Sequence, residues 1–242
     1  MKSLIAAIQF LTILPLGPKG TYAPRAMIPW FPVVGLLIGG LLALFDRLVS
    51  RLWTAPAAAV LDVILLMVLT GALHLDGLGD TADGLYGHRP KTRALEIMKD
   101  SRIGAMALVT VVAALMLKWG GLAGVTQHRL LVLILIPAYS RGAMLFAIRA
   151  LPYGRSREGT GYDLFARPLG GRDFIGLMAV AVLSLLLGWW ALILNLVYLF
   201  LVWGTVIYYR RKIGCITGDM LGAMTEVTES ALFFIMAMEI MR

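Results

Sequence analysis

His74-Leu75-Asp76-Gly77-Leu78-Gly79-Asp80-Thr81-Ala82-Asp83-Gly84 is the stretch on which the reading of this chain turns. It follows an apolar run over 54–75, long enough to cross a hydrocarbon core of ~30 Å. If that run continues as helix, Asp76, Asp80 and Asp83 stand at i, i+4 and i+7, within an arc of about 60° on one face. Carboxylates so placed repel one another, and at a membrane boundary the repulsion is poorly screened. A compensating cation is therefore expected. Hard oxygen donors suit Mg²⁺, Mn²⁺ or Ca²⁺, and the lack of cysteine or paired histidine ligands disfavours zinc. An EF-hand loop does not fit, because its alternating ligands and terminal glutamate are missing. Gly77, Gly79 and Gly84 would let a bulky phosphate ester approach the backbone. A solvated helix end or a Gly/Asp turn is the plainer alternative, and it accounts for one aspartate better than for three in register. His74 reads either as a polar helix-end residue or as a ligand.

The rest of the chain places this stretch in a membrane. Of 242 residues, 60% are hydrophobic and 15% charged, against about 45–50% and about 25% in soluble domains. Mean hydropathy is +0.83, so lipid is the expected solvent for most of the surface. Further apolar runs cover 27–45, 103–122, 130–151, 174–189 and 190–209, and shorter ones cover 1–16 and 230–241. The last lengthens to about 25 residues if its helix starts near Gly218. The expectation is an all-α polytopic transmembrane bundle of six to eight helices, seven or eight favoured, as a single integral-membrane domain over 1–242. Residues 1–15 lack a small-x-small cleavage site, so no cleaved signal peptide is expected. The single cysteine, Cys215, excludes an internal disulfide framework.

The formal charge of +8 does not read as a nucleic-acid footprint, because the basic residues sit between apolar runs and no DNA- or RNA-reading motif is present. Fifteen of the 22 basic residues fall in the loops around 16–26, 76–102, 149–173 and 210–229. The alternate loops carry only Arg47, Arg51, Lys118 and Arg129. That asymmetry assigns the long loops to the cytoplasm.

A second acidic cluster lies in Thr217-Gly218-Asp219-Met220-Leu221-Gly222-Ala223-Met224-Thr225-Glu226-Val227-Thr228-Glu229. Asp219 and Glu226 are seven apart, on one helical face, and Gly222-Ala223 is a small-residue pair that lets membrane helices pack closely. Thr217 or Asp219 as an N-cap explains the start of this segment but not Glu226, past the second turn. Between the clusters, Arg93 to Gly104 holds Lys99, Ser101 and Arg102, either as phosphate-holding groups or as positive-inside anchors. Arg141, in Ser140-Arg141-Gly142, sits mid-span and needs a partner, which phosphate or the acidic cluster would supply.

At these residues the sequence resembles the cobalamin synthase (adenosylcobinamide-GDP ribazoletransferase) family. The resemblance runs through Phe10-Leu11-Thr12-Ile13-Leu14-Pro15, His74 to Leu78, Asp80, Asp83-Gly84, Leu95 to Gly104, Ser140-Arg141-Gly142, Glu158-Gly159, and Thr217-Gly218-Asp219 with Gly222-Ala223, Glu226 and Glu229. The chain departs from the family pattern at Gly214-Cys215-Ile216 and at Met106-Ala107. The resemblance implies an integral membrane phosphotransferase using Mg²⁺ and likened to CDP-alcohol phosphotransferases. It would join adenosylcobinamide-GDP to α-ribazole or its 5′-phosphate, giving adenosylcobalamin or its phosphate and GMP. On that footing Asp76, Asp80, Asp83 and Asp219 are metal ligands and Glu226 or Glu229 the candidate base. Arg102 and Arg141 are candidates to hold phosphates, with Lys99, Ser101, Gly77, Gly84 and Thr217 around them. The implied setting is the bacterial or archaeal cytoplasmic membrane with the site facing the cytoplasm. A homo-oligomer, or a complex with other corrinoid-assembly enzymes, is left open by the sequence.

Two rival classes share the intramembrane carboxylates. A cation-coupled transporter predicts acids near the bilayer midplane, whereas both clusters here adjoin basic loops. A non-catalytic subunit explains neither the three-aspartate register nor its glycines.

Overall fold

Backbone placed in lipid must satisfy its amides within the chain, and helices do this locally. The computed structural model describes residues 2–16, 24–155 and 162–238. Along them run α1 (Lys2–Leu11), α2 (Pro24–Met27), α3 (Phe31–Val49), α4 (Ala55–Thr70), α5 (Leu73–Leu85) and α6 (Lys91–Ile97). There follow α7 (Ala105–Gly124), α8 (Arg129–Ala150), α9 (Ile175–Ser184), α10 (Trp190–Lys212) and α11 (Gly218–Met236). Among the described residues there is no sheet, only an isolated parallel bridge between Tyr153 and Ile216. This is the expected all-α polytopic bundle. Lys19 and Arg157, two of the fifteen loop cations counted above, and Glu158 and Gly159 lie outside the described residues.

Fewer helices meet the length and apolarity of a crossing than the run count implies. Among the described residues, Pro24–Val49, Ala105–Gly124, Arg129–Ala150 and Trp190–Lys212 qualify, and the bent pair α4 and α5 makes up to five. The run 174–189 yields only the 10 residues of α9 before Gly188 turns the chain at φ 63. The run 54–75 does not stay straight. Gly71 (φ 58) and Ala72 (φ 56) adopt left-handed backbone, and α5 leaves α4 at 89°. Glycine takes that conformation readily; alanine pays about 1–2 kcal/mol for it. Since α5 then covers Leu73–Leu85 without a break, the i, i+4, i+7 register of its aspartates survives the bend.

Helix α8 is the central post, buried over most of its length and packed against α3, α9, α10 and α11. Helix α11 wedges among α5, α7, α8 and α10. The outer faces of α4, α7 and α10 expose Val60, Ile64, Leu108, Val112, Leu196 and Trp203, the surface expected against lipid.

The four basic loops meet at one end of the bundle. Arg25 pairs with Asp173 at 2.6 Å and holds that carboxyl below the usual carboxylate range. Arg155 donates to the Met98 carbonyl, Arg210 to that of Ala150 and Lys212 to that of Gly87. At the opposite end Arg129 pairs with Asp46 at 2.6 Å and reaches Asp62 at 3.5 Å. Lys118, counted from the sequence as a loop residue, lies inside α7 and is buried, its side chain only 3% exposed. Removing it from the outer loops sharpens the charge asymmetry.

A single-cysteine scan checks this arrangement, with buried Cys215 as background. Lys91→Cys, at an exposed position in a basic loop, should react with an impermeant maleimide from the cytoplasmic face only, and Ser50→Cys from the other. Reaction of both from one face would refute the topology.

Candidate active site

Helices α5 and α11 cross with their backbones in contact. A Cβ added at Gly77 would lie 2.7 Å from the Asp219 carbonyl oxygen, and one at Gly222 would lie 3.2 Å from the His74 Cα. Only glycine permits that approach, and it sets the first turn of α11 beside the first turn of α5. Asp219 is thereby brought to Asp76. Asp80 feels the charges of Asp76, Asp219 and Asp83, with Arg155 as counter-charge. The two acidic motifs, far apart in sequence, thus share one electrostatic field.

The glycines do not serve the purpose expected of them. Gly77 admits the α11 backbone, Gly79 packs on Ala107 and Gly84 on Met98. Each close approach is filled by protein, not left for a phosphate ester. Thr217 caps α11, its hydroxyl accepting from the Met220 amide at 3.3 Å. Asp83 accepts from the Gly104 amide at 2.7 Å and the Ala107 amide at 2.9 Å, so it also caps the start of α7. Each of its oxygens keeps a lone pair beyond that bond.

A cleft of about 210 Å³ opens beside the crossing. Its polar wall is Asp76, Asp219, Arg155 and His74, and its apolar wall includes Phe10, Leu11, Met144 and Leu164. Arg155 is ion-paired with Asp219, each side chain 20% exposed. His74 is buried, and neither ring nitrogen has a hydrogen-bond partner.

Glu226 and Glu229 stand elsewhere. A rise of 1.5 Å per residue puts Glu226 about 10 Å along α11 from Asp219. Lys118 of α7 donates to Glu226 at 2.6 Å and to Glu229 at 2.8 Å. Arg141 of α8 pairs with Glu229, and Ser140 donates to it at 3.1 Å. All four charged groups are buried. These glutamates hold buried cations and are not poised as bases, and Arg141, with no exposed surface, is not placed to hold a phosphate. Arg102 is turned outward, 87% exposed and paired with Asp100 at 2.5 Å, while Lys99 and Ser101 are also exposed outside the cleft lining. The basic residue that does line the cleft is Arg155, which the sequence presented only as one of many loop cations. Among the described residues, no three His, Cys, Asp or Glu side chains are drawn into a ready-made ligand set for a metal ion.

A family model described as cobalamin-5-phosphate synthase matches residues 3–237. A Roseiflexus sp. (strain RS-1) protein named adenosylcobinamide-GDP ribazoletransferase is 38% identical over 231 residues, 92% of this chain and 84% of its own. Proteins of that name from Chlorobaculum parvum and Alkaliphilus metalliredigens are 33% and 37% identical, each covering 98% of this chain and 96% and 95% of their own. No solved structure matches.

The buried ion quartet makes a stability prediction. Lys118→Met leaves two buried carboxylates facing one guanidinium and should cost about 3–5 kcal/mol, and adding Glu226→Gln should recover most of it by restoring neutrality. Thermal melts in detergent decide the matter: an unshifted Lys118→Met melt would remove the quartet from the forces holding α11.

Proposed function

The chain belongs to the cobalamin-5-phosphate synthase family, and we propose that it joins adenosylcobinamide-GDP to α-ribazole or its 5′-phosphate in a Mg²⁺-dependent reaction. It is an enzyme of cobalamin synthesis, a transferase held in a helical membrane bundle. The products would be adenosylcobalamin or its phosphate, and GMP. One observation supports this reading most: the α5–α11 crossing brings Asp76, Asp80, Asp83 and Asp219 into one field around a cleft, with one guanidinium against four carboxylates.

The donor chemistry fits a hard divalent cation, since every group is a carboxylate oxygen and the field is under-compensated. Asp76, Asp80, Asp83 and Asp219 would hold it. Bound there, Mg²⁺ would supply neutralisation of pyrophosphate charge. The rest falls to the chain. The ribazole hydroxyl oxygen forms a bond to the cobinamide-bearing phosphorus, the bridging P–O bond breaks, and GMP leaves with the electron pair. The hydroxyl proton must pass to a base at the cleft. Of the carboxylates nominated, Asp76 and Asp219 border it, whereas Glu226 and Glu229 are paired with Lys118 and Arg141. Phe10, Leu11, Met144 and Leu164 give the cleft an apolar wall that limits water around the reacting groups. The basic loops that surround it support a site on the cytoplasmic face of the cytoplasmic membrane.

The transporter reading loses its support at depth. Glu226 and Glu229, the buried carboxylates of the second motif, are already neutralised within the protein.

Asp76→Asn tests the proposal, because it keeps shape while removing charge. Carboxylate repulsion falls, so the metal-free melt should be unchanged or slightly higher. Release of GMP from adenosylcobinamide-GDP and α-ribazole phosphate should drop about 10²-fold or more. Glu96→Gln is the control, since Glu96 is 64% exposed and paired only with Arg93. A well-folded Asp76→Asn protein with near-normal turnover would remove Asp76 from the site.

A further inference from the structure

We propose that Arg155 is an exchangeable counter-ion: it neutralises Asp219 while no divalent cation does, and passes to the pyrophosphate of the substrate once one is bound. The inference rests on the metal-dependent reading above and assigns a residue which that reading leaves without a role.

Arg155 lies beyond the end of α8 yet reaches across the bundle end to Asp219, 64 residues on, and its Nη2 also donates to the Met98 carbonyl at 3.3 Å. Its Nε is buried and has no partner among the described residues. An unused guanidinium donor beside a cleft is capacity for another acceptor. Three other basic groups near the motifs are committed elsewhere. Lys118 and Arg141 are spent on Glu226 and Glu229, and Arg102 on Asp100. The planar fork of a guanidinium matches the paired oxygens of a pyrophosphate as well as it matches a carboxylate. The Arg155 side chain, 20% exposed, is not walled in.

Two cations held on Asp219 at short range repel one another. A guanidinium on that carboxylate therefore opposes a divalent ion there, and drawing the guanidinium away favours it. By linkage the effect is reciprocal, so nucleotide and metal bind with positive cooperativity through one arginine. The exchange also leaves Asp219 neutralised at every stage, which matters for a carboxylate beside lipid.

The test uses the full chain in detergent, with Mn²⁺ alone as the metal probe, followed by its electron paramagnetic resonance, and GDP as the pyrophosphate probe at saturating Mg²⁺. Arg155→Gln should bind Mn²⁺ about tenfold more tightly and GDP about tenfold more weakly than wild type, with Arg155→Lys between the two. Opposite shifts are the signature, because loosening of the fold would weaken both. Unchanged or weakened Mn²⁺ binding in Arg155→Gln overturns the proposal, as does unchanged GDP binding. Mn²⁺ binding by wild type that Asp76→Asn weakens keeps the metal reading intact whatever Arg155 does. Its absence in wild type sinks the reading and this inference together.

Discussion

Four ionised side chains buried in the bundle decide where α11 stands. A charge in hydrocarbon is tolerated only when a partner is held against it. Lys118 from α7 and Arg141 from α8 converge on Glu226 and Glu229, so two helices grip a third through charges that have no other charged partner among the described residues. Each residue along α11 turns the helix by about 100° and advances it by about 1.5 Å, so a slip of one position would strand both glutamates. The quartet thus fixes rotation and height at once. Two turns earlier on the same helix, Asp219 inherits that placement.

The same helix carries two opposite electrostatic conditions. At depth the charges are paired one for one. At the crossing with α5, Asp76, Asp83 and Asp219 all act on Asp80, and Arg155 is the described counter-charge there. Rigidity follows from the first condition, and the second is the one that the proposed cation would relieve. The contact of Gly77 and Gly222 with the facing backbones joins them, since it lets a helix set by the quartet present its first turn to α5.

Much of this was legible because helical periodicity and hydropathy are local. The α5 register needed only the spacing of Asp76, Asp80 and Asp83, and the polytopic class only the apolar runs. The break before α5 was not legible. Gly71 sits unremarkably in an apolar run, and nothing about Ala72 announces a left-handed backbone. Pairing was the other blind spot. Lys118 is 108 residues from Glu226, so a lysine between apolar runs read as a loop residue and two glutamates read as catalytic. Arg155 was hidden by number, one cation among fifteen in the basic loops, until the folded chain set it against Asp219. The glycines were legible as sites of close approach, but their partner proved to be the chain itself.

The right-angle turn between α4 and α5 has a consequence for biogenesis. Helix α4 is apolar but for Asp62 and suits lipid, whereas α5, with its aspartates and glycines, does not. The surfaces that receive it belong to α7 and to α11, and α11 is made more than a hundred residues later. Until then α5 must wait at the membrane surface, its carboxylates in water. The cleft beside the α5–α11 crossing is thus among the last features of the molecule to exist, and insertion of the chain and assembly of that cleft are separate events in its synthesis.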